Sequence, residues 1–151
     1  MNNKKGITLL SALIIVAVLS IFTGTIVIST DYIIDETDRK DFVREYKLVE
    51  AATKDYIMRN SGKIDFIEME FDLSKASEES AEQFNDETIT DNKIAMYIVD
   101  LDKIGVINAN YGKQKNSDEE DVYLLSKTTN IVYYKKGFIN NKNIYYRVMY
   151  D

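Results

Sequence analysis

The sequence predicts an α+β fold in which a long N-terminal helix packs on a C-terminal antiparallel β-sheet. Three observations predict it. Residues 7–28 carry no charge, residues 30–60 hold apolar side chains at helical spacing, and the last 30 residues form short Val-, Ile- and Tyr-rich runs. The helix is expected to span a membrane in its first half and to be amphipathic in its second.

From Ile7 to Ile28 there are 22 uncharged residues. As a helix they span roughly 33 Å at about 1.5 Å per residue, enough for a hydrocarbon core of about 30 Å. Lys4 and Lys5 precede the run, and Asp31, Asp35, Glu36 and Asp38 follow it. This asymmetry puts the N-terminus in the cytoplasm and the rest of the chain outside. The run is longer than the hydrophobic region of a secretory signal and flows into a second helical pattern.

In that pattern Phe42, Tyr46, Val49, Thr53 and Tyr56 recur at spacings of four and three, with Ile57 beside them. Arg44, Lys47, Lys54 and Asp55 lie on other sides. No proline interrupts the chain, and Ser61-Gly62 supplies a stop. One helix from Ile7 to Asn60 would run about 80 Å, with room for a bend at Gly24.

Beyond the stop, Ile67, Met69, Phe71 and Leu73 alternate with Glu68, Glu70 and Asp72, the pattern of a half-exposed strand. Between Ile64 and Asn92 there are ten acidic residues and one basic, Lys75. Residues 74–92 therefore read as a solvated loop with a helical turn around Glu78 to Phe84. Lys93 to Val99 is a second strand, Asp100 to Gly105 a turn closed by glycine, and Asn108 to Glu120 a polar loop. Strands are then expected at Asp121 to Leu125, Ile131 to Lys135 and Asn143 to Met149. Lys127 to Asn130 and Gly137 to Lys142 connect them as an antiparallel meander.

The join between the lysines and the apolar run carries a further reading. Lys5-Gly6, then Ile7-Thr8-Leu9-Leu10, then Ser11-Ala12-Leu13 resembles the leader junction of type IV prepilins and pseudopilins. The resemblance covers about the first 25 residues closely and the remainder in layout. It implies a leader peptide at 1–6, a transmembrane and filament-core helix at 7–28, its amphipathic continuation at 29–61, and an extracellular β-rich head at 62–151. It also implies a pilin-like fold, cleavage after Gly6 by a prepilin peptidase, methylation of the new N-terminus at Ile7, and other pilin subunits as partners. One position departs from the family. Where it usually carries a glutamate, five residues into the mature chain, this chain has Ser11. The departure points to a minor subunit that initiates or caps a filament.

The formal charge is −6, and removing Lys4 and Lys5 leaves 17 basic against 25 acidic side chains, or −8. That balance argues against general nucleic-acid binding. Lys135, Lys136, Lys142 and Arg147 share a region with Tyr133, Tyr134, Tyr145 and Tyr146, a mixture that can bind single strands. Surface solvation or subunit contact is the preferred reading of it. Residues 122–151 carry five basic residues against Asp151 alone, opposite in sign to residues 64–92. Those two stretches are expected to meet between subunits, to neutralise each other within one, or merely to face water.

There is no cysteine and no histidine. Thiol nucleophiles, imidazole bases and the usual transition-metal ligands are therefore missing. The aspartates of the 108–120 loop match no calcium-loop signature. No catalytic residue, metal site or cofactor is expected. The alternative reading is a single-pass, membrane-anchored extracellular binding domain that does not polymerise. It accounts for the lysines and the apolar length, and gives no reason for Gly6.

Overall fold

In the computed structural model, which describes residues 36–140 and 142–149, the amphipathic stripe is one face of helix α1, Glu36–Arg59. Phe42, Tyr46, Val49 and Thr53 are buried, and Tyr56 and Ile57 pack at the margin of the same core. Thr53 is tolerated there because its hydroxyl donates to the Val49 carbonyl at 2.7 Å. At the helix end the Gly62 N–H reaches the Ile57 carbonyl at 2.8 Å and the Ser61 N–H reaches Met58 at 3.2 Å. This is a Schellman closure. Ser61 takes the first left-handed position, with φ 54, and Gly62 the next, with φ 80.

The sheet follows as β1 (Ile67–Asp72), β2 (Lys93–Ile98), β3 (Tyr123–Ser126) and β4 (Val132–Tyr134), in that order and antiparallel throughout. Side-chain alternation sorts its residues onto two cores. Tyr123, Leu125, Val132 and Tyr134 join the core that includes the α1 stripe, together with Val99. Phe71, Ile94, Met96, Ile98, Leu124 and Tyr133 form the opposite one. The α+β architecture with an antiparallel sheet is thus observed for the described residues.

The second face is covered by the acidic middle of the chain: the helical turn expected around Glu78 to Phe84 is present, but it packs on the sheet instead of lying in a solvated loop. Helix α2 (Glu78–Ala81) continues into a 3₁₀ turn, Glu82–Phe84. Phe84 stacks on Phe71 and Tyr133, with ring centroids at 5.2 and 4.8 Å. Ser80, Gln83 and Glu87 are buried with it. The apolar area of Phe84 outweighs the charge of its neighbours, because Glu78, Glu79 and Glu82 all point to water.

The C-terminal strands also differ from the expected meander. Gly137 (φ 73) turns the chain straight after β4, its N–H bonding the Tyr134 carbonyl at 3.0 Å. Phe138–Asn140 is then a strand, β5, instead of a connection. It pairs with β6, Asn143–Tyr145, in a separate two-stranded sheet. Phe138 earns its place by stacking on Phe42 at 4.5 Å. In β1, Ile67 is 55% exposed, because an edge strand has no neighbour to cover its end.

Candidate functional site

Lys5, Gly6, Ile7 and Ser11, together with the apolar run 7–28, lie outside the described residues. Among the described residues no helix is long and apolar enough to cross a membrane.

The described residues hold three carboxylates at the centre of polar clusters. Glu45, on the flank of the α1 stripe, is buried. It accepts the Asn110 N–H at 2.7 Å, the Tyr111 N–H at 2.8 Å and the Tyr123 hydroxyl at 3.3 Å. Asp121 accepts the Gly112 N–H and the Tyr134 hydroxyl, both at 2.7 Å. Glu87 accepts the hydroxyls of Ser126 and Thr129 at 2.5 Å and of Tyr133 at 2.8 Å. Burial, reinforced by the carboxylate each one faces, pushes the Tyr123, Tyr133 and Tyr134 phenols far above their ordinary range.

Chemically these are holding contacts. Each carboxylate accepts from fixed donors, and each ties a loop to the sheet or to α1. Glu45 clamps residues 110–111 to the helix, and Glu87 closes the β3–β4 turn. Sequence reasoning missed all three because their donors are distant in the chain. The signal for Glu45 was nonetheless present. It lies three residues after Phe42 and four before Val49, on the flank of the buried stripe.

The basic and aromatic residues of the C-terminal region are largely turned inward. Tyr133, Tyr134 and Tyr146 are buried. Lys135 is buried too, its ammonium donating to the Ser117 and Glu119 carbonyls at 2.8 and 2.7 Å and pairing with Glu120 at 3.5 Å. Arg147 pairs with Asp86 at 2.9 Å and lies over the Tyr133 ring at 5.8 Å. Lys136 and Lys142 are exposed. The oppositely charged stretches meet within the chain at Arg147–Asp86 and at Lys127–Glu68, the latter at 2.6 Å.

Two surface hollows accompany these clusters. One of about 340 Å³ is lined by Leu101, Val106, Ala109, Lys113 and Lys115. The other, of about 300 Å³, is lined by Met69, Phe71, Lys75, Lys136 and Tyr146. Among the described residues no group of three or more carboxylates is placed to hold a metal ion. Comparison of the chain with protein-family models, with curated proteins and with solved structures found no match.

Proposed function

We propose that this chain is a structural minor subunit, a pilin or pseudopilin, of a type IV pilus-like filament. The observation that carries the reading is the junction Lys5-Gly6-Ile7 opening an uncharged run of 22 residues. In this account a prepilin peptidase cuts after Gly6, Ile7 becomes the methylated N-terminus, and residues 7–28 hold the subunit in the cytoplasmic membrane before assembly. The head lies outside the cell, and the partners are other pilin subunits. The chain has no catalytic role and no cofactor.

Helix α1 and its sheet support a subunit role. The face of α1 turned away from the sheet exposes Arg44, Leu48, Ala51, Asp55 and Met58, with Leu48 at 55% and Met58 at 74%. Large apolar residues on an outward helical stripe suit packing against another subunit's helix.

Ser11 supports the minor role. In a filament core, an unpaired terminal amine is costly and a carboxylate from a neighbour relieves it. Ser11 offers no carboxylate, so a filament of this chain alone would bury one unpaired amine at every joint. At a tip that pairing is not required. Quantitative mass spectrometry of purified filaments tests this assignment. The protein is expected far below the major subunit, and deleting it should lower filament number. Long filaments formed by this chain without other pilins would refute it.

A further inference from the structure

The four-stranded sheet has two edges, and the chain treats them differently. Ser126 N–H bonds the Ile131 carbonyl across β3 and β4, so Val132 and Tyr134 direct their main chain away from β3. Three of those four outward groups are paired. The Tyr46 hydroxyl donates to the Val132 carbonyl at 2.5 Å. Gly137 N–H donates to the Tyr134 carbonyl at 3.0 Å, and Tyr134 N–H donates to the Tyr146 carbonyl at 2.6 Å.

At the other edge, Leu73 N–H bonds the Asn92 carbonyl at 2.8 Å. By the two-residue alternation of an antiparallel ladder, Phe71, Met69 and Ile67 face β2, and Glu68 and Glu70 direct their N–H and C=O groups outward. Among the described residues no strand pairs on that side. Both glutamates are exposed.

Charge selects what can pair there. Glu68, Glu70 and Asp72 share one face of β1, while Ile67 and Met69 share the other. A second β1 laid antiparallel about Met69 would set Glu68 opposite Glu70, a repulsive pairing that guards the edge against its own copy. Lys127 and Lys93 each hold one of these glutamates from the sheet side, at 2.6 and 2.9 Å. The Glu68 and Glu70 side chains remain 67% and 64% exposed, and a carboxylate has room for further donors.

We propose that the open edge of β1 docks an extended strand of a different protein, one in which lysine or arginine alternates with aliphatic residues. Its backbone pairs with Glu68 and Glu70, its cations lie opposite their carboxylates, and its aliphatic side chains cover Ile67 and Met69. The inference rests on the sheet alone and stands apart from the filament reading.

The test is backbone hydrogen exchange on the full chain in detergent, with a short synthetic peptide alternating lysine and valine and its glutamate–valine counterpart. The lysine peptide at saturation should slow exchange at Glu68 and Glu70 about tenfold or more, and the glutamate peptide should leave it unchanged. Equal protection by both peptides, protection elsewhere only, or self-association that already protects these two amides would overturn the proposal. Glu70→Pro removes an outward N–H and no ladder bond, a change that edge strands tolerate. It should keep the circular dichroism spectrum and lose peptide protection at Glu68. The double variant Glu68→Gln plus Glu70→Gln serves if the proline variant does not fold. It should abolish the preference for lysine over glutamate, and an unchanged preference would overturn the proposal.

Discussion

The side-chain amide of Gln83 does the work of a strand for Tyr146. Its oxygen accepts the Tyr146 N–H at 2.7 Å, and its nitrogen donates to the Ile144 carbonyl at 2.8 Å. On the other side the Tyr146 carbonyl accepts from Tyr134. The last described segment is thus held between β4 and one glutamine, and its ring packs against Phe71 and Phe84.

Gln83→Leu keeps similar volume and strands a buried N–H. It should lower unfolding stability by about 2–3 kcal/mol. Exposed Lys136→Ala should change it by less than about 0.5 kcal/mol. Urea unfolding of both variants, followed by circular dichroism, checks the difference.

Alkali should unfold the described fold through its tyrosines. Folding raises the phenol pKa of Tyr123, Tyr133 and Tyr134. Their contribution is therefore complete below the unfolded phenol value of about 10 and is lost as pH rises beyond it. Phenolate absorbance from these rings should appear only together with loss of the circular dichroism signal. Reversible titration of all the tyrosines with that signal intact would contradict the burial described here.

Two glycines with left-handed backbones should respond unequally to alanine. At Gly112 (φ 68) a Cβ would lie 2.2 Å from the Tyr123 ring, which is fully buried. At Gly62 (φ 80) nothing lies within 4 Å. Gly62→Ala should cost about 1–2 kcal/mol, from backbone strain alone. Gly112→Ala adds overpacking against a ring that cannot move, and should cost about 1–3 kcal/mol more. Thermal unfolding of the two variants ranks them.

The parts legible in the sequence are those set by local period. Phe42, Tyr46, Val49 and Thr53 mark the buried face of α1 because residues three and four apart share a side of any helix. β2 was legible from the apolar content of Lys93 to Val99, and the face formed by Ile94, Met96 and Ile98 comes from the structure. Phe138–Asn140 was not legible, since Gly137 and the neighbouring polar residues carry the composition of a turn. Gln83 and Glu87 were hidden by acidic neighbours. What buries them is a non-local partner, the 144–146 backbone for one and the Ser126, Thr129 and Tyr133 hydroxyls for the other. The edge of β1 was half legible: alternation gave the strand, and only the sheet order leaves it unpaired.

The filament reading depends most directly on how the chain begins once it is in the membrane. Intact-mass and N-terminal peptide analysis of the protein from its native membrane measures this. The account predicts a mature chain beginning at N-methylated Ile7, with residues 1–6 removed. A chain retaining Met1 through Gly6 would contradict it.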